Sequence, residues 1–173
     1  MAFTLYSATI PSYLQLLRSV SHLIDKAEAF CHAKGWTPDA LIQARLADDM
    51  LPFAYQVKSA AVHSLGAIEG VRKGTFSPDM TKPPETFADL RERVAQTIAA
   101  LEAIDPDEIE SFVGRPMRFE FSAYCMDFVA ENFLLSFSQP NFYFHVTTAY
   151  DILRMKGVEL GKGDYIGAVR KSG

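Results

Sequence analysis

The stretch "PNFYFHVTTAYDILRMKG", from Pro140 to Gly157, has the pattern of an amphipathic helix with one histidine near its apolar face. Pro140 suits a first helical turn, and Gly157 suits the position just after a last turn. The spacing therefore predicts a helix in which His145 lies roughly 50° from the centre of the apolar stripe. That stripe consists of Phe142, Val146, Ala149 and Leu153.

The second helix is predicted to begin at Thr37 and to run to about Gly70. Thr37 has the side chain of an N-cap, and Pro38 suits the first helical position. Pro52 falls inside this segment, where its missing amide and its ring predict a kink. The alternative is that Pro52 divides the segment into two helices.

Two further helices and a small hairpin complete the predicted architecture. One helix spans about Ser7 to Ala33, and another begins at Thr86 and ends before Asp105. Later in the chain, "RFEFSAYCMDFVA" has two alternating runs that predict a hairpin, and the glycine-rich tail after Gly157 predicts extended coil. The predicted fold class is all-α: an antiparallel four-helix bundle with a small irregular or hairpin insertion before the last helix.

Length and composition fit one cytoplasmic domain over residues 1–173. A hydrophobic content of 49% allows a substantial core, and the formal net charge of −4 gives no overall positive field for nucleic acid or anionic lipid. No stretch approaches the roughly 18 apolar residues of a membrane helix, and the first residues lack a signal-peptide pattern. The two cysteines stand in no motif and are expected to be reduced.

Polar side chains near the apolar faces of two helices predict an interior pocket. At about 100° per residue, Asp49, Gln56 and His63 form a loose column along the second helix, with His63 furthest toward solvent. On the last helix, Asn141 lies one turn before His145 and nearer the edge of the stripe. Because bundle proteins build sites from inward-pointing side chains, the predicted pocket residues are Asp49, Gln56, Asn141 and His145.

Three roles are open for His145. A neutral imidazole can hold a metal or move a proton, and Asp49 can orient it or share the metal. His145 is the best candidate metal ligand in the sequence, and Asp49 and His63 are weaker candidates. The alternative is that these polar groups satisfy one another and that His145 is a core histidine.

The last helix resembles the final helix of the DinB/YfiT-like superfamily of four-helix bundles. Members commonly carry H-x-x-x-H there, followed nine residues later by Arg and then by Gly. His145, Arg154 and Gly157 match the second His, the Arg and the Gly, whereas Asn141 stands where the first His would be. Together with "RLADDMLPFAYQV" (45–57), this stretch is similar to a bacterial branch that is catalogued only as a domain of unknown function.

The resemblance implies a cytoplasmic bundle, often a homodimer, in which active members bind a divalent metal through three histidines. Thiol-dependent transferases and isomerases are among those members. Only His145 matches a ligand position here, because Asn141 replaces one histidine and the second helix has none at the aligned position. The expected function is a small-ligand-binding or structural module without the full three-histidine site. The alternative is a metal-dependent transferase, isomerase or hydrolase that uses His145 as ligand or base.

Overall fold

A computed structural model of the protein describes residues 3–171, which are mostly helical and include one small sheet. In chain order the helices are α1 (Leu5–Lys34), α2 (Asp39–Ile42), α3 (Phe53–Ala61), α4 (Ala67–Lys73), α5 (Phe87–Glu102), α6 (Pro106–Glu110), α7 (Ala130–Asn132), α8 (Gln139–Met155) and α9 (Lys162–Ile166). Two π-helical segments, π1 (Val62–Gly66) and π2 (Phe133–Ser138), join α3 to α4 and α7 to α8. The strands are β1 (Thr75–Phe76), β2 (Pro116–Phe121) and β3 (Tyr124–Val129).

The long helices enclose one apolar core. α1 packs against α5 and α9, α3 packs against α8, and contacts of α1 with α8 and of α3 with α5 complete the arrangement. The predicted stripe of the last helix is confirmed, because Phe142, Val146, Ala149 and Leu153 are all buried. Within residues 3–171, no helix combines the length and apolar composition that crossing a membrane requires.

The predicted second helix is wrong between residues 43 and 52, which form a loop. Pro52 has an extended backbone (φ −73°, ψ 170°) and stands at the N-cap of α3, so it separates two helices instead of kinking one. The residue before a proline avoids the helical region, which favours this break. The Phe53 amide donates to the Ala44 carbonyl at 2.9 Å and closes the loop. Leu46, within this loop, is 39% exposed.

A three-stranded sheet corrects the all-α prediction. The predicted hairpin is confirmed: β2 and β3 pair antiparallel around a turn in which Ser122 has φ 55°. β1 adds to β2 in parallel, with Phe76 opposite Phe119. A two-residue strand has no periodicity that a sequence can reveal. Gly70 allows the pairing, since a Cβ there would lie 3.0 Å from the Phe76 Cβ.

The tail contains a short helix where extended coil was predicted. The Gly161 amide donates to Asp164 Oδ2 at 2.7 Å, which caps α9. Gln15 Nε2 donates to the Ile166 carbonyl at 2.9 Å, and His22 Nε2 lies 2.7 Å from Asp164 Oδ1. These contacts attach α9 to the outer face of α1.

The two π segments have identifiable causes. Pro140 follows π2, and its ring and missing amide exclude a regular helical bond four residues back. Asn141 Nδ2 donates to the Phe137 carbonyl at 2.7 Å. In π1, Ser64 Oγ donates to the Ala60 carbonyl at 2.7 Å. These side chains thus donate to carbonyls that accept from backbone amides in a regular α-helix. The wider π-helical turns change the side of the helix on which their residues lie.

A buried lysine fixes the loop between β1 and α5. Lys58 on α3 is 1% exposed, and its Nζ donates to the carbonyls of Asp79 at 2.8 Å and Thr81 at 2.5 Å. The ammonium also lies 3.0 Å from Asp79 Oδ1. Burial opposes the charge of Asp79, but hydrogen bonds from Thr81 and Lys58 outweigh it and lower the pKa of Asp79 to about 2. All three ammonium protons therefore have acceptors in this loop.

Replacing Tyr13 with phenylalanine is expected to raise the free energy of unfolding by about 1 kcal/mol. Tyr13 is fully buried, and its hydroxyl has no hydrogen-bond partner within residues 3–171. Its ring packs edge-on against Phe142 at 4.9 Å, a contact that phenylalanine keeps. Urea denaturation of the Tyr13→Phe variant beside the parent protein measures the change. A loss of more than about 1 kcal/mol would instead show that the hydroxyl has a partner in solution.

Candidate functional site

His145 is held by a buried glutamine on the facing helix. Its Nδ1 lies 2.7 Å from Gln56 Oε1, and Gln56 Nε2 donates to the Leu51 carbonyl at 2.8 Å. Because the amide nitrogen of Gln56 is engaged with a carbonyl, its oxygen faces the imidazole and accepts from it. Nδ1 of His145 therefore carries the proton, and Nε2 presents a lone pair.

His63, on π1, lies beside His145. The two rings are stacked, with centroids 5.5 Å apart and planes inclined by 19°. His63 Nδ1 lies 3.2 Å from Ser138 Oγ, which donates its own proton to the His63 carbonyl at 3.1 Å. With that hydroxyl proton committed, Nδ1 of His63 is the donor to Ser138, and its Nε2 is also left as an acceptor.

Neither Nε2 atom has a hydrogen-bond partner among residues 3–171. Over the same residues, Tyr13 Oη is the one enclosed side-chain polar atom without a partner, so both Nε2 atoms are accessible. We name this pair of imidazoles, His63 and His145, the histidine pair. It presents two hydrogen-bond acceptors.

Burial keeps the histidine pair neutral. It lowers the pKa of His145 to about 4, and burial together with the nearby His145 lowers the pKa of His63 to about 3. At neutral pH both rings are therefore uncharged acceptors and weak bases.

Aromatic rings surround the histidine pair. Tyr55 and Phe144 lie edge-on to His145, with centroids at 6.0 and 5.4 Å. Phe76 and Phe137 lie at 5.5 and 6.1 Å from His63. The imidazoles therefore lie among aromatic rings.

Both π segments meet at the histidine pair. His63 belongs to π1, whereas Ser138 ends π2 and Phe137 precedes it. π-helical turns within α-helices occur frequently at functional sites. Here they bring a histidine of one helix against a serine of another.

The structure brings together two of the four predicted pocket residues, Gln56 and His145. Asn141 turns its amide to the Phe137 carbonyl of its own helix. Asp49 is exposed in the 43–52 loop and lies on no helix, so the predicted column along the second helix is wrong. His63, predicted to face solvent, is half-buried because the π turn breaks the 100° rule. The sequence gives no signal for Ser138, which lies two residues before Pro140.

The residues present do not fit the three-histidine metal site that the resemblance implies. Within residues 3–171, no three His, Cys, Asp or Glu side chains lie close enough together to hold a metal ion. Nδ1 of His145 and of His63 is committed to a neighbour, and the Asn141 amide is bound to backbone. At both rings, Nε2 is the imidazole nitrogen that remains free for chemistry.

Comparison with known proteins places these features in a family. The family model described as "Domain of unknown function (DUF1993)" matches residues 5–166. The crystal structure of a DinB family member protein from Shewanella denitrificans is similar, with 29% identity over 98% of this chain and 95% of that chain and a TM-score of 0.81. No curated protein matches the chain. The protein belongs to the DUF1993 family and has a DinB-like, mostly helical fold.

Proposed function

We propose that the protein is a small-ligand-binding module and that the histidine pair is its binding site. The observation that carries the proposal is the pair of accessible Nε2 acceptors on neutral, parallel imidazoles whose Nδ1 protons are already committed. We further propose that residues 1–173 form one antiparallel four-helix bundle, built from α1, α3–α4, α5 and α8. We also propose that the protein is bacterial and cytoplasmic and that it forms a homodimer.

The ligand best suited to the histidine pair is a planar hydrogen-bond donor. Two neutral acceptors offer an anion no charge to pair with, so carboxylates and phosphates gain little there. A cation with two N–H groups gains two charge-assisted hydrogen bonds from these acceptors. An amidinium or guanidinium group therefore fits this site.

The test uses benzamidine as a probe and ¹⁵N spectra of the imidazoles as the readout. Saturable shifts of the Nε2 resonances of His63 and His145 are expected. His63→Phe should weaken binding by about tenfold, since one acceptor is lost. This variant keeps an aromatic ring, and Ser138 keeps its bond to the carbonyl of residue 63.

His32→Gln, at an exposed position of α1, is the matched control and should bind benzamidine as the parent does. Unchanged Nε2 resonances at millimolar benzamidine, or equal affinity in His63→Phe, would refute the binding role. A merely structural role for the pair predicts that outcome.

A second candidate is a transferase, isomerase or hydrolase in which His145 Nε2 accepts a proton from the substrate. The same accessible lone pair supports it, because Gln56 holds the tautomer that a general base needs. Near-stoichiometric metal in the purified protein that is lost in His145→Ala would favour the metal-dependent form of this candidate. Substoichiometric metal that the substitution leaves unchanged would exclude that form.

A further inference from the structure

A cleft of about 530 Å³ opens between π1, α4 and α5, beside β1. Its volume lies within the range of small-molecule sites. Val62, Leu65 and Phe76 contribute apolar side chains to its lining, and we call these three residues the apolar floor. The helix surface is open there because Gly66 has no side chain: a Cβ at that position would touch only atoms of its own helix, at 3.8 Å or more.

Two cations line the cleft. Lys73, at the end of α4, has no carboxylate within ion-pair distance among residues 3–171. Arg93, on α5, reaches Asp79 Oδ2 at 3.5 Å, but Asp79 already neutralises the buried Lys58. Glu69 is the other carboxylate in the lining. Because the charges of Lys58 and Asp79 cancel, the cleft keeps two positive charges, on Lys73 and Arg93, and the negative charge of Glu69.

Hydroxyl donors add to these charges. Thr75 and Ser77 line the same cleft, and neither hydroxyl has a partner among the hydrogen bonds of residues 3–171. Hydroxyls beside a guanidinium and an ammonium are suited to an oxyanion.

We propose that this cleft is a second binding site, which takes a small molecule with an anionic head group and a short apolar body. Arg93 and Lys73 hold the head group, and the apolar body lies on the floor of Val62, Leu65 and Phe76. The site is separate from the histidine pair, which favours a donor ligand of opposite charge. The two sites share Phe76, whose ring contacts His63 at 5.5 Å.

Amide ¹H–¹⁵N spectra of the full chain test the proposal with two probes, phenylacetate and inorganic phosphate. Phenylacetate is expected to shift the amides of Gly66, Gly70 and Ser77 in a saturable way at millimolar concentration. Phosphate, without an apolar body, is expected to bind more weakly at the same amides. Phosphate binding more tightly would contradict the role of the apolar floor.

Two independent variants distinguish this site from a general charge effect. The Arg93→Gln/Lys73→Gln double variant removes the cations and should weaken phenylacetate binding at least tenfold. Gly66→Leu fills the cleft without changing charge and should abolish the shifts. Lys162→Gln and Gly163→Leu, on α9, are the matched controls and should leave binding unchanged.

Absence of saturable shifts with both probes overturns the proposal. Equal phenylacetate affinity in the double glutamine variant also overturns it, even if Gly66→Leu fails to fold. Benzamidine binding at the histidine pair is measured separately, so either site can fail without the other.

Discussion

Replacing Lys58 with methionine is expected to lower the free energy of unfolding by about 3–5 kcal/mol. Methionine has a similar length but donates no hydrogen bond. The variant leaves two carbonyls, those of Asp79 and Thr81, without the donor that holds them, and it leaves the carboxylate of Asp79 without its buried partner. Unfolding in urea at pH 7, followed by circular dichroism, measures the loss.

Lys82→Met is the matched control, because Lys82 is exposed and pairs with Glu85 at the surface. We expect it to change stability by no more than about 0.5 kcal/mol. Adding Asp79→Asn to Lys58→Met should restore part of the loss, since it removes a carboxylate that then has only the more distant Arg93 as a cationic partner. If the free energy of unfolding of Lys58→Met lies within about 1 kcal/mol of the parent value, water replaces the ammonium. That difference is well below the cost of breaking a buried ion pair.

Acidification from pH 7 to pH 5 is expected to destabilise the protein by roughly 3–4 kcal/mol through the histidine pair. In the unfolded chain both histidines protonate near the ordinary value of 6.5, whereas in the folded state burial lowers their pKa values to about 3 and 4. Between these values the unfolded state binds more protons. Stability therefore falls as the pH decreases through this window.

The His63→Phe variant should lose about half of this pH dependence. Urea unfolding of the parent and the variant at pH 7, 6 and 5 separates the two contributions. The pKa values of Asp79 and Asp164 are lowered to about 2, so these carboxylates change the stability at more acidic pH than the histidine pair does. An equal slope for parent and variant between pH 7 and 5 would mean that His63 is already solvated in the folded state.

The sequence predicts the last helix well, because its apolar stripe has the period of a regular α-helix. It also locates His145 near the core and places Gln56 in the same predicted pocket, together with Asp49 and Asn141. The prediction of the second helix fails at Pro52, because both a kink and a break are sterically allowed at a proline. The outcome depends on the bond from the Phe53 amide to the Ala44 carbonyl, which closes a loop and has no helical spacing that a sequence pattern could reveal.

The stacking of His63 on His145 could not be predicted from the sequence. A regular helical wheel places His63 toward solvent, but the π turn moves it to stack on His145. The π geometry depends on hydrogen bonds of Ser64 and Asn141 and on Pro140, whose combined effect has no simple period. Ser138 enters the site for the same reason.

The contacts of α1 also determine when the protein can fold during synthesis. Helix α1 is made first, yet its main partners, α5, α8 and α9, follow some 50 to 160 residues later. Until α8 leaves the ribosome, Tyr13 lacks Phe142, and until α9 leaves it, Gln15 lacks the carbonyl of Ile166. Nascent chains halted before residue 139 should therefore expose to chaperones and proteases the part of the apolar face of α1 that α8 covers.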